Sequence, residues 1–171
     1  MFSIRRAEPD EYVAVGELTV QAYLTNGGMS ADDPYYEVLR DAAARDEGAE
    51  LWVAADADGT LLGTVTWCPV GSPYRELGGA GEGEFRSLAV APEARGRGVG
   101  EALVRHCLSL AEAAGDSGVV ISTAEWMPAA HRLYRRLGFV AAPERDWSPR
   151  PEIPLHAFVR PLRAAHGDRP A

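Results

Sequence analysis

The 171-residue sequence contains no lysine: all 17 basic residues are arginine. That absence removes Schiff-base chemistry, a pyridoxal anchor and a Walker-type phosphate loop, each of which needs the lysine amine. Asparagine occurs once, at Asn26, against 28 alanines, a skew that reads as coding bias from a GC-rich genome. Cysteine occurs twice, as Cys68 and Cys107, too few for a disulfide framework and without C-x-x-C spacing. No zinc site is therefore expected, and a reducing cytoplasm is the expected setting. No stretch approaches the roughly 18 apolar residues of a membrane span, and Met1–Glu8 lacks the apolar run of a signal peptide. Basic charge is also short: 17 arginines against 25 acidic residues give a net charge of −8 and a pI of about 5.0. This balance argues against a broad nucleic-acid-binding surface and leans toward cationic small molecules.

What remains is ordinary globular material, 46% hydrophobic and 25% charged. At roughly 150 residues per domain it predicts one core and one site, a domain over 1–162 and a frayed polar tail over 163–171.

Alternation at Phe2, Ile4 and Arg6 predicts a first strand, and Val15, Leu18 and Ala22 predict a helix from Asp10 to about Leu24, stopped by Asn26-Gly27-Gly28. Asp32-Asp33-Pro34 opens a second helix running to about Arg45. The runs Leu51–Ala55 and Leu61–Trp67, separated by Asp56-Ala57-Asp58-Gly59, predict an antiparallel hairpin. A Gly-rich loop follows from Pro69 to Gly83, of a length that marks either mobility or a site. A strand over Phe85–Val90, a helix over Gly98–Ala114 and a strand over Gly118–Thr123 predict a right-handed parallel crossover. In that helix Val99, Leu103, His106 and Leu110 form the expected buried face. A last helix carries Ala130, Leu133, Tyr134 and Leu137 and is stopped by Gly138, with closing strands at Phe139–Val140 and Leu155–Val159.

The most informative stretch is Arg95-Gly96-Arg97-Gly98-Val99-Gly100, between a strand and an amphipathic helix. Glycines at alternate positions leave backbone N–H groups uncovered at a helix N-terminus, where the dipole favours an anion such as a pyrophosphate. A tight turn that merely lets the helix pack closely is the plain alternative. Neither Glu101 nor Leu103 supplies the third glycine of a dinucleotide fingerprint.

These residues resemble the R/Q-x-x-G-x-G/A motif of the GCN5-related N-acetyltransferases, the GNAT family. Downstream, Met127-Pro128-Ala129-Ala130-His131-Arg132-Leu133-Tyr134-Arg135-Arg136-Leu137-Gly138-Phe139 resembles that family's N-x-x-A-x-x-L-Y-x-K-x-G-F helix, with Met127 in place of the asparagine. The resemblance implies an α/β fold, a mixed six- to seven-stranded sheet splayed between strands four and five and flanked by about four helices. It implies acetyl-CoA as cosubstrate without a metal. The pantetheine arm would pair with Leu88, Ala89 and Val90, and the pyrophosphate would sit on Arg95, Gly96, Arg97, Gly98, Val99 and Gly100. Arg135 or Arg136 could approach the adenosine phosphates.

By the same resemblance Tyr134 is the general acid and Glu84 the first candidate for the base, with Glu82, Glu125 and His131 as rivals. The implied reaction is direct transfer of acetyl to a primary amine, on a small molecule or a peptide, in a ternary complex. Homodimers are common in that family. Trp126, Trp147, Tyr35 and Tyr36, with Asp32, Asp33, Glu144 and Asp146, are candidates for the acceptor pocket. Cys68 and Cys107 read as structural. The competing function is a non-catalytic acyl-CoA-binding sensor or protein-interaction module, against which the retained Tyr134 speaks.

Overall fold

The computed structural model describes residues 1–162; the tail expected at 163–171 lies outside the described residues. The chain opens with β1 (Phe2–Arg6) and α1 (Tyr12–Asn26), followed by α2 (Tyr35–Arg40) and α3 (Ala42–Gly48). The single helix expected over Asp32–Arg45 is thus two. Asp41 leaves the helical region (φ −77°, ψ 74°) and its carboxylate accepts from the Ala44 N–H, so it ends one helix and caps the next. The hairpin of β2 (Glu50–Asp56) and β3 (Leu61–Cys68) closes through the Asp56 N–H to the Thr60 carbonyl, with Gly59 at φ 88°.

After the loop come β4 (Glu82–Val90), α4 (Val99–Ala114), β5 (Gly118–Ala124), α5 (Pro128–Arg136), β6 (Val140–Ala141) and β7 (Leu155–Pro161). They complete a seven-stranded sheet in the order β1-β2-β3-β4-β5-β7-β6, in which β7 inserts between β5 and β6. Among the described residues only β4 and β5 are parallel, joined by the crossover through α4.

The buried face of α4 is Val99, Leu103, Val104, Cys107 and Ala111. His106 sits on the flank instead, with its ring 4.1 Å from that of Trp52, and Leu110 is only partly buried. Tyr134, Phe85, Phe139 and Phe158 form an aromatic cluster, with Tyr134 centroids 5.6–6.4 Å from the other three rings. It fixes α5 against the sheet beside the strand opening.

That opening is the feature of the fold that matters most for function. β4 and β5 pair only from Glu82 to Glu84 against Gly118 to Val120. Beyond Glu84 the strands part, and β4 is bent by an irregularity facing β3 between Thr64 and Thr66. Ser87 lies in that bent stretch with φ 53°, a conformation rare for a residue with a side chain. Diverging strands leave one edge of β4 unpaired where a ligand strand can add.

Candidate active site

Between the parted strands lies a cavity of about 410 Å³, the size of small-ligand sites. Phe85, Arg86, Ser87 and Leu88 of β4 form one side, and Ile121–Ala124 of β5 the other. Tyr134 closes it from α5. Trp126 and Met127, in the turn before α5, also face it. The Trp126 indole lies on the backbone of Gly28, where an added Cβ would fall 2.2 Å from the ring, so the loop after α1 covers the cavity at close range.

Tyr134 is 5% exposed, and its hydroxyl makes no hydrogen bond to protein among the described residues. Burial, with Tyr23 and Cys107 nearby, drives its pKa well above the ordinary phenol value. The group therefore stays protonated through neutral pH and is set to donate, not accept.

The glycine loop stands at the end of β4. Gly96 and Gly98 have φ of 77° and 78°, and an added Cβ at either would meet nothing within 4 Å. Among the described residues the N–H groups of Gly96, Gly98, Val99 and Gly100 have no protein acceptor; the first backbone bond closing onto the helix is Ala102 to the Gly98 carbonyl. An open cradle of four free donors at the start of a 16-residue helix fits a pyrophosphate. The arginines differ in availability. Arg97 is held by Asp56 at 3.1 Å, whereas Arg95 makes no ion pair among the described residues. Arg136 reaches Glu101 at 3.0 Å, and Arg135 stacks over Phe158 at 5.7 Å. Of the three residues read as pantetheine partners, Leu88 faces the cavity; Ala89 is buried opposite Thr64, and Val90 follows it at the strand end.

Glu84 lies elsewhere. It is 3% exposed and absent from the cavity wall, and its carboxylate accepts from three successive loop N–H groups: Glu76 (3.0 Å), Leu77 (3.2 Å) and Gly78 (2.7 Å). β4 runs under the loop at this point, so the side chain meets the loop backbone before it can reach an acceptor. In this structure the first candidate for the base, Glu84, clamps the loop and does not line the cavity. Arg75 adds bonds to the Cys68, Gly79 and Glu82 carbonyls, and Arg145 grips Glu82 and the Leu77 carbonyl. The long loop is thus tied down along its length.

Glu84→Ala would orphan those three loop donors and is expected to cost about 2–5 kcal/mol. Denaturant unfolding measures it, alongside a raised acceptor KM and an unchanged acetyl-CoA Kd. Undiminished stability with lost turnover would instead mark Glu84 as the base.

Of the rivals, Glu82 is committed to Arg145, Glu125 is exposed, and the His131 Nε2–H donates to the Ala124 carbonyl at 3.0 Å. Two carboxylates do line the cavity: Asp33, paired with Arg150, and Glu76, bonded to Arg86 at 2.8 Å. Burial raises its pKa above the usual glutamate value, partly opposed by Arg86.

Among the acceptor-pocket candidates, Trp126, Trp147, Tyr35 and Asp33 line the cavity. Tyr36 turns into a separate cluster with Val20 and Leu39, Asp32 accepts from Ser30, Asp146 binds His156 and the Ala157 N–H, and Glu144 is exposed. Sequence reasoning missed Glu76, Arg86, Tyr23 and Arg150. Cys68 is fully buried, and burial pushes its thiol to a pKa of about 12, so it is a poor nucleophile. Among the described residues no cluster of His, Cys, Asp or Glu is placed to hold a metal, and no helix is long and apolar enough to cross a membrane.

Residues 14–139 match the family model described as Acetyltransferase (GNAT) family. The chain is 32% identical over 142 residues to an uncharacterized N-acetyltransferase of Schizosaccharomyces pombe, the match covering 80% of this chain and 82% of the yeast protein. It is 36% identical over 89 residues to N-acetyltransferase family 8 member 3 of Rattus norvegicus, covering 52% of this chain but only 37% of that longer relative. A solved GCN5-related N-acetyltransferase from Kribbella flavida superposes with a TM-score of 0.68 at 30% identity, over 94% of this chain and 98% of that one. With the family model spanning most of the sequence and the yeast relative matched along four fifths of both chains, this chain belongs to the GNAT family of acetyltransferases.

Proposed function

We propose that the protein is an N-acetyltransferase that moves the acetyl group of acetyl-CoA to a primary amine by direct attack in a ternary complex. The observation that carries this reading is the protonated Tyr134 hydroxyl on the wall of a cavity between parted strands, with a cradle of free N–H groups at the end of β4. The cradle would hold the pyrophosphate, with Arg95 free to reach it. The unpaired edge of β4 at Leu88 would take the pantetheine arm.

Proton movement runs through two residues. An ammonium must lose one proton before attack, and the Glu76 carboxylate, on the cavity wall beside Arg86, is assigned to take it. The nitrogen lone pair then forms the C–N bond at the thioester carbonyl carbon as the C–S bond breaks. Tyr134 gives its proton to the departing sulfur and regains one from the nitrogen. Two protons leave the nitrogen: one ends on CoA sulfur, the other in solvent. Donation from a phenol of raised pKa is not prohibitively uphill, because a thiolate released into the same apolar cavity is raised by the same desolvation.

Glu84 enters as a positioning residue, holding the loop that carries Glu76. Two buried, reduced cysteines agree with a cytoplasmic setting. Incubation with acetyl-CoA and a pooled amine library, read by mass spectrometry, tests the reading. A product 42 Da above one amine is expected. Tight acetyl-CoA binding with no acetylated product would favour the sensor function instead.

A further inference from the structure

Two guanidinium groups stand close together near the acceptor end of the cavity, Arg86 on its wall and Arg45 behind it. Arg45, on α3, is 1% exposed and donates only to neutral acceptors: Thr66 Oγ1 (3.1 Å), Thr19 Oγ1 (3.2 Å) and the Leu39 carbonyl (2.8 Å). Its Nε has no partner, and the ionisable groups that act on it most are the phenols of Tyr23, Tyr35 and Tyr74 and a second guanidinium, Arg86. Buried charges are ordinarily paired. No carboxylate is bonded to Arg45 among the described residues, and the nearby Glu76 is bonded to Arg86.

Arg86 faces the cavity and has donors to spare. It bonds Glu76 Oε1 (2.8 Å), the Tyr74 carbonyl (3.2 Å) and the Tyr35 hydroxyl (3.1 Å). A guanidinium carries five N–H groups. Nε–H and one Nη2 proton are therefore left without a protein acceptor among the described residues, and the planar fork suits a carboxylate. The other ion pair on the wall, Arg150 with Asp33 at 2.6 Å, is closed on itself and adds no net charge. Met29, Val38, Trp126, Ile153 and Leu155 make much of the remaining surface apolar.

Resting on the acetyltransferase reading above, we propose that the acceptor is an α-amino acid with an apolar or aromatic side chain. Its carboxylate binds Arg86 with Arg45 behind it, and its amino group meets Glu76. The Glu76–Arg86 pair is the complement of the zwitterion, an anion for the ammonium and a cation for the carboxylate. A polyamine is disfavoured despite the acidic surface, because it offers no anion to the free Arg86 donors.

The test uses the unmodified protein with acetyl-CoA and four acceptors: L-phenylalanine, L-leucine, phenethylamine and L-phenylalaninamide. The two free acids are expected to exceed the decarboxylated amine and the amide in kcat/KM on the order of 100-fold or more, since a site built around a charged group rejects analogues lacking it. The amide carries the more readily deprotonated amine, so preference for the acid cannot come from amine reactivity. Arg86→Gln, and Arg45→Met as a variant that does not touch the acceptor, are expected to shrink that ratio to within about tenfold; a merely structural loss would lower all four acceptors together. Equal or better use of phenethylamine or the amide overturns the assignment while leaving the transferase intact. Silence with all four also overturns it, and the pooled-amine experiment then decides separately whether the transferase reading stands.

Discussion

Replacing Tyr134 with phenylalanine is expected to lower turnover on the order of 10²–10⁴-fold while leaving acetyl-CoA affinity and thermal stability close to those of the parent. The ring packs against Phe85, Phe139 and Phe158, and phenylalanine keeps that packing. The hydroxyl bonds no protein group among the described residues, so its removal orphans nothing. A large kinetic effect with a small structural one is the signature of a proton donor. Its raised pKa adds a sign: turnover should be lost to Tyr134 deprotonation only above the ordinary phenol value of about 10. Steady-state kinetics, calorimetric titration and a melting curve on the same preparation decide it. Full turnover in the variant would make Tyr134 a packing residue.

Gly98→Val is expected to weaken acetyl-CoA binding by about 100-fold or more. Gly98 sits at φ 78° as the N-cap of α4, where a β-branched residue costs about 1–3 kcal/mol of backbone strain. The new side chain would also stand among the free N–H groups, since nothing in the protein occupies that space. Gly100→Ala is the matched control. A Cβ there would lie 3.4 Å from Val90 and 3.5 Å from Leu133, ordinary contact, so near-parent affinity is expected. Titration with acetyl-CoA measures both. Parent-like affinity in Gly98→Val would remove the pyrophosphate from this loop.

The parts legible in the sequence were those with local signatures. The hairpin, the α4 crossover and the glycine loop each follow from a few contiguous residues, and the motif singled out Tyr134, which lines the cavity. What escaped depended on partners distant in sequence. Glu84 was read by strand alternation, but its fate is set by the amides of Glu76–Gly78 in a loop without periodicity. Arg86 shared that alternation and looked like any polar strand residue; only the parting of β4 from β5 opens it to a cavity. Arg45 belongs to a seven-residue helix whose start depends on Asp41 capping, and nothing local marks its burial. The insertion of β7 between β5 and β6 is likewise invisible to alternation, because pairing order is decided by packing across the sheet.

The same placements weigh the transferase against a binding module. A sensor needs the cradle and the opening but has no use for a protonated, unpartnered hydroxyl inside the cavity. Nor does it need an ion-paired carboxylate held there by a clamped loop.

The most direct test is a rapid-quench single turnover, with enzyme in excess over acetyl-labelled acetyl-CoA and a reactive amine present, both protein and small molecules being followed by mass. The expected result is that label passes to the amine in one phase, with no protein gaining 42 Da at any time. This agrees with Cys68 being buried with a thiol pKa of about 12. An acetylated protein that forms first and then decays into product would contradict direct transfer in the cavity between β4 and β5.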